Sequence, residues 1–178
     1  TILGPEMKST GEVMGVGKSF GEAYIKAQMG AGERLPRPLR ADGTPAGKVF
    51  LTVKNADKPQ AVQIARALLG MGFSLVATRG TAAAIQAAGL ACETVNKVTE
   101  GRPHIVDMIK NDQVSLVINT VEERRNAITD SRAIRTSALL ARVPTITTIF
   151  GAEAAVEGMK FMDKLGVISV QEMHAELV

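Results

Sequence analysis

From residue 48 onward the apolar positions change period again and again. KVFLTVK (48–54) is β-rich and apolar. Residues 57–71 instead place Val62, Ala65, Leu68 and Leu69 at helical spacing, and Gly72 follows as a stop signal. FSLVAT (73–78) reads as the next strand, and TAAAIQAA (81–88) as a short helix closed by Gly89. CETVN (92–96) is a third strand, and residues 103–110 a helix with Pro103 at its start. VSLVINT (114–120) is almost wholly apolar, as expected of a parallel strand covered on both faces. Residues 130–142 read as helix, PTITTIF (144–150) as a fifth strand and residues 151–165 as a last large helix, while VISV (167–170) has the look of a short edge strand.

Strands alternating with helices predict βαβ units: an α/β fold with a mostly parallel five-stranded sheet, flanked by helices and joined by right-handed crossovers. In such sheets ligands sit outside the carboxyl ends of the strands. The polar residues that follow the strands are therefore expected on one rim: Lys58, then Thr78 and Thr81, then Lys97, then Asn119. The turn Thr78-Arg79-Gly80-Thr81 stands out. It joins a strand to a helix start, where first-turn N–H groups and the positive dipole end attract an anion and glycine lets the backbone approach it. Two ammonium groups, two hydroxyls and a helix N-terminus describe a phosphate site, with Asn119 free to read a base or a sugar. Taken singly, each feature has an ordinary explanation: a Thr-capped turn, or a solvated surface lysine. Taken together they fall at one end of the sheet.

Composition narrows the classes. A chain of 178 residues can bury one good core and an appended segment. Its single cysteine, Cys92, excludes an internal disulfide and reads as strand core. The apolar runs are too short to span a bilayer and no signal peptide is visible, so a cytoplasmic protein with no membrane partner is expected. A net charge of +3 with mixed signs, and 3% aromatics without Trp, argue against a basic nucleic-acid stripe or a base-stacking platform.

The N-terminal part differs in texture. Ser19-Phe20-Gly21-Glu22 fits a capping box opening a helix to Met29, with Gly30 as its stop. Residues 30–46, with three prolines and three glycines, read as linker. GVGKS (15–19) looks like the end of a phosphate-binding P-loop. However, Glu12 stands where the first glycine is needed and no strand precedes it, so a glycine-rich turn into a capped helix is expected instead.

Several stretches together resemble one family: LGPEMKSTGEVMG (3–15), ATRGT (77–81), VNKVTEGRPHI (95–105), INT (118–120), DSRAIRTSAL (130–139) and VISVQEMHA (167–175). They resemble the C-terminal end of the large subunit of bacterial-type carbamoyl phosphate synthetase. The resemblance covers nearly the whole chain. It implies a helical remnant of an ATP-grasp domain at 1–31, a linker at 32–46 and a Rossmann-like, methylglyoxal-synthase-like regulatory domain at 47–178. An ATP-grasp domain needs far more chain than this, so a fragment without the active sites is expected. In the family the intact subunit, with a glutaminase small subunit, makes carbamoyl phosphate from bicarbonate, glutamine nitrogen and two ATP, for arginine and pyrimidine synthesis. The parent uses ATP with Mg2+ or Mn2+, and K+; no cofactor and no catalytic or metal-binding residue is expected in this stretch. The resemblance implies UMP as inhibitor and IMP as activator in one pocket, with Lys58, Thr78, Arg79, Gly80, Thr81 and Lys97 around the phosphate and Asn119 and Thr120 near ribose or base. Thr147, in the TITT stretch, matches the family's ornithine-contacting threonine.

Three departures bear on ligand choice. Val121 stands where the family pattern has a second Thr, removing a hydroxyl worth roughly 0.5–1.5 kcal/mol net. Arg79 stands in place of a His and brings a permanent cation. Glu122 and Glu123, before Arg124 and Arg125, make that loop more acidic.

Two other functions compete. The same fold resembles methylglyoxal synthase, which needs an aspartate base near the reacting carbon; Val121, Glu122 and Glu123 stand where that enzyme has Asp-Pro. His104 and Asp107, three apart on an expected helix, could pose as an acid/base pair, though structural hydrogen bonds at a helix start explain them more simply. The other competitor is a structural module that self-associates through surface around Phe20, Tyr24 and Met29, left bare by a missing parent domain. The N-terminal helix is expected to pack poorly for the same reason.

Overall fold

The computed structural model describes residues 11–38, 47–121 and 125–175, with backbone alone at 125–127. Residues 3–10 of the first family motif, 39–46 of the expected linker, and Glu122, Glu123 and Arg124 lie outside the described residues. Helix α1 spans Phe20–Gly30. Strands β1 (Lys48–Thr52), β2 (Ser74–Thr78), β3 (Glu93–Val95), β4 (Val114–Asn119) and β5 (Thr145–Ile146) alternate with helices α2 (Lys58–Gly70), α3 (Arg79–Ala87), α4 (Ile105–Lys110) and α5 (Arg125–Leu140). Helices α6 (Ile149–Met159) and α7 (Val170–Ala175) follow.

All pairings are parallel, in the order β3-β2-β1-β4-β5. Both faces of the sheet are covered, which explains its apolar strands. Along β1, Val49 and Leu51 face one cluster, with Ile64 of α2, Ala82 of α3 and Ala152 of α6. Phe50 faces the other, with Ile105 of α4 and Ile134 of α5. The change of face follows from handedness. The chain lays down β1, β2 and β3 in one direction, then returns to the far side of β1 for β4 and β5. A right-handed crossover in the reversed direction must put its helix on the opposite face. The reversal leaves a gap between the outgoing loops of β1 and β4, and this is where such sheets bind ligands.

Several boundaries differ from the sequence reading, and caps account for most of them. Residues 167–170 form no strand: Ser169 Oγ accepts the Glu172 N–H at 3.1 Å and Glu172 accepts the Ser169 N–H at 2.9 Å. This capping box starts α7 instead. Pro103 lies outside α4, because Asp107 accepts the His104 N–H at 3.1 Å and makes His104 the N-cap. Only Thr145 and Ile146 of the fifth strand are paired; Thr148 Oγ1 accepts the Gly151 N–H at 3.1 Å and opens α6 at Ile149. Helix α5 begins five residues earlier than expected, and Cys92 sits just before β3, half-buried.

Helix α1 does not pack poorly. Ile25 is fully buried in the larger cluster, and Gly21 and Gly158 bring α1 and α6 together. A side chain on Gly21 would meet the Phe161 ring at 2.6 Å. Gly15 and Gly17 lie against the Ala23 backbone of α1, which is why GVGKS is a turn laid on a helix and not a phosphate loop. Ser19 accepts the Glu22 N–H at 3.3 Å as expected, but the Glu22 carboxylate reaches back to the Lys18 N–H, one residue short of a full box. Phe20 and Met29 are exposed, whereas Tyr24 is half-buried under the Phe20 ring, with centroids 5.7 Å apart.

Candidate functional site: a cleft at the strand ends

At the carboxyl ends of β1, β2 and β4 lies a cleft with a cavity volume of about 250 Å³. Lys58, Thr78, Gly80, Thr81, Lys97, Asn119 and Thr120 all line it, so seven of the residues singled out in the sequence meet at one place. They come from the carboxyl ends of β2 and β4 and from the segments that follow β1, β2, β3 and β4.

The first turn of α3 is built for an acceptor. Thr78 occupies the N-cap position, yet its hydroxyl caps nothing. It is paired with Thr52 Oγ1 at 3.0 Å instead. The N–H groups of this turn are thus not satisfied by their own cap, as a simple Thr-capped turn would have it, and Gly80 and Thr81 border the cleft. Lys58 Nζ comes within 3.5 Å of where a Gly80 side chain would begin, so an ammonium group stands over the same spot.

The hydroxyls are polarised in a consistent sense. Thr81 Oγ1, nearly fully buried, accepts the Val53 N–H at 3.2 Å. Thr120 Oγ1 accepts the Lys54 N–H at 3.1 Å. A hydroxyl has one proton to give. With an oxygen lone pair engaged by backbone, each can turn that proton toward the cleft. Donors therefore dominate the site: the first turn of α3, two hydroxyls, and the ammonium groups of Lys54, Lys58 and Lys97. Lys54 also lies 3.8 Å from Asp57.

The sequence reading missed the contribution of α5. Asp130, Ser131 and Ile134 line the cleft's opposite wall. The Asp130 carboxylate accepts the Thr99 N–H at 3.3 Å and its hydroxyl at 3.2 Å. This ties the short turn Val98–Glu100, and hence Lys97, to α5. Glu100 in turn accepts the Lys97 N–H at 2.9 Å. Ser131 Oγ and Arg135 Nε, the latter at 2.9 Å, both donate to Asn119 Oδ1, and Arg135 also donates to the Asn119 carbonyl at 2.9 Å. The motif DSRAIRTSAL carried these residues, and an Asp-Ser pair facing a strand end was the available signal.

Two expected residues stand elsewhere. Arg79 does not line the cleft: its guanidinium is largely exposed and lies 3.8 Å from Glu100. Thr147 follows β5 and borders a second cavity of about 1050 Å³, with Tyr24, Arg34, Arg135 and Arg142. Val121 does line the cleft, as an apolar residue beside Thr120. His104 and Asp107 are outside it. His104 Nδ1 lies 3.2 Å from Asp107 Oδ2 but off the line of a hydrogen bond, and makes none. The Asp107 carboxyl is held below its ordinary value, chiefly by the His104 N–H it accepts, so the pair is a helix cap. Among the described residues no three His, Cys, Asp or Glu side chains are grouped to hold a metal ion, and no helix is long and apolar enough to cross a membrane.

Comparison with known proteins agrees with this architecture. Residues 60–147 match the MGS-like domain family. The chain is 57% identical over 176 residues to the carbamoyl phosphate synthase large chain of Ralstonia nicotianae. It is 56% identical over 176 residues to that of Pseudomonas putida, and 54% identical over 177 residues to that of Neisseria meningitidis serogroup A. In each case 99% of this chain is covered, against 16% of the relative's length. With the parallel sheet, the cleft at its switch point and these similarities together, residues 60–147 form an MGS-like domain, and the chain as a whole is similar to one stretch of carbamoyl phosphate synthase large chains.

Proposed function

We propose that this chain is the regulatory part of a glutamine-hydrolysing carbamoyl phosphate synthase large chain, and that its cleft binds a nucleoside monophosphate. UMP would inhibit and IMP activate. The observation that carries this reading is the convergence of Lys58, Lys97, Thr81 and the first turn of α3 on one cavity. Such a set of donors suits a phosphate dianion, and Asn119 on the opposite wall is at hand for the nucleoside. Thr147 would contribute to an ornithine site on the second cavity. The parent, with its glutaminase small subunit, would be a cytoplasmic ligase making carbamoyl phosphate for arginine and pyrimidine synthesis. Its ATP, its Mg2+ or Mn2+ and its K+ would be bound by other parts of the large chain.

Regulation follows from differential affinity. A phosphate that ties together loops after β1, β2 and β3 favours whichever state of the enzyme holds those loops closer. Couplings of this kind are about 1–3 kcal/mol, and by reciprocity the state of the catalytic part alters nucleotide affinity. The test is calorimetric titration of this chain with UMP, then IMP, with dihydroxyacetone phosphate as control. Nucleotide binding without a response to the triose phosphate is expected.

One observation favours a second reading. Asp130 brings a buried carboxylate to the cleft, as a methylglyoxal synthase would require. Against it, both carboxylate oxygens are committed to Thr99. Binding of the triose phosphate alone would favour this enzyme reading.

A further inference from the structure

Asn119 is a two-faced side chain: its amide can accept through Oδ1 or donate through Nδ2, and a free amide turns over to suit its partner. Here it cannot turn. Arg135 Nε and Ser131 Oγ both donate to Oδ1, and the second limb of Arg135 holds the Asn119 backbone carbonyl. A guanidinium has only donors, so an inverted amide would set N–H against N–H in a site where Asn119 is almost wholly buried. Arg135 itself does not line the cleft; it stands behind Asn119 and acts through it. The charge on Arg135 also polarises the amide and strengthens its remaining donor.

We infer that Arg135, aided by Ser131, makes Asn119 a one-way hydrogen-bond donor to the cleft and so selects ligands that present an oxo group there over those that present an amino group. This rests on the nucleotide reading for its ligand class. It goes further in saying which nucleotides are excluded: a uracil or hypoxanthine oxygen can accept from Asn119 Nδ2, whereas the amino group of cytosine or adenine at the same place meets donor with donor. Arg135 is thus a positioning residue that sets specificity, separate from the groups facing the phosphate.

The test compares UMP with CMP, and IMP with AMP, by calorimetry on this chain, with inorganic phosphate as probe of the anion end alone. The unsubstituted chain is expected to favour the oxo member of each pair by about tenfold or more, since a good bond is replaced by an opposed pair of donors. In Arg135→Gln, whose own amide can turn, the preference should fall to within about twofold, with phosphate affinity unchanged. Arg135→Lys, a pure donor, should restore part of it. A second readout needs no nucleotide: the Asn119 side-chain amide in a nitrogen-15 spectrum should be a resolved, slowly exchanging pair that collapses or exchanges rapidly in Arg135→Gln. Equal loss of phosphate and nucleotide binding in the variant would make Arg135 merely structural and overturn the inference, as would an unchanged oxo preference. If the unsubstituted chain binds no nucleotide, the functional reading fails on its own, and the amide spectrum still decides whether Arg135 locks Asn119.

Discussion

Thr81→Val separates the two tasks of one hydroxyl. The substitution keeps the volume and the β-branch, so packing against the nearly fully buried site is preserved and only the oxygen is lost. In the folded chain that oxygen accepts the Val53 N–H at 3.2 Å, and it borders the cleft. Removing it strands a buried backbone donor, which costs about 1–3 kcal/mol. Val53 borders the cleft, where water can enter and take over part of the bond. The lower part of the range, roughly 1–2 kcal/mol, is therefore expected. For a domain of this size that corresponds to a fall in Tm of about 2–8 °C. The second task is the proton turned toward the ligand. A hydroxyl donating to a phosphate oxygen is a charge-assisted bond, and its loss should weaken UMP or IMP binding by about 1.5–3 kcal/mol, or roughly tenfold to a hundredfold. Thr81→Ser keeps the oxygen and should recover most of both effects. Equilibrium denaturation reads the first and calorimetry the second. A Thr81→Val protein as stable as the parent and equally tight in binding would refute the reasoning; loss of stability without loss of affinity would confine Thr81 to the scaffold.

Three further outcomes follow from the same structure. Lys97→Ala should weaken UMP or IMP binding by roughly 1.5–3 kcal/mol, the range for a charge-assisted hydrogen bond; unchanged calorimetric affinity in the folded variant would remove Lys97 from the site. Gly21→Ala puts a methyl group against the Phe161 ring and 3.1 Å from the Glu157 carbonyl; it should cost about 1–3 kcal/mol, with amide exchange rising first in α1, and an unshifted exchange pattern would show that α1 does not dock this way. The Asp107 carboxyl, held below the ordinary carboxylate range chiefly by the His104 N–H, adds stability that is fully present above that range and is lost as the pH falls through the lower, folded value. The Tm gap between the parent and Asp107→Ala should therefore narrow below about pH 4, and a gap constant with pH would argue against the cap.

The lysine- and threonine-lined end of the cleft was legible because it is written locally. Thr78 to Thr81 are contiguous, and Lys58, Lys97 and Asn119 each follow a strand, so the parallel-sheet rule alone brings them to one rim. The wall opposite was not. Asp130 and Ser131 look like surface residues of a polar helix until α5 is laid against β4, and Arg135 becomes a partner of Asn119 only through packing sixteen residues away in sequence. Arg79, within the same turn, does not line the cleft; its guanidinium is largely exposed and lies 3.8 Å from Glu100 of another loop.

Side-chain period and residue spacing were enough to predict the alternation of strand and helix, the two covered faces of the sheet and the gathering of Lys58, Thr78, Thr81, Lys97 and Asn119 on one rim. These depend on side-chain period and on the handedness of crossovers, which are properties of the chain at short range. Tertiary structure alone decided where elements start when caps compete with strand pairing, as at Ser169 and Thr148, and that α1 docks through Gly21 and Ile25. It alone decided which way the Asn119 amide faces. Hydrogen-bond orientation depends on partners brought from distant positions, and neither apolar period nor residue spacing encodes them.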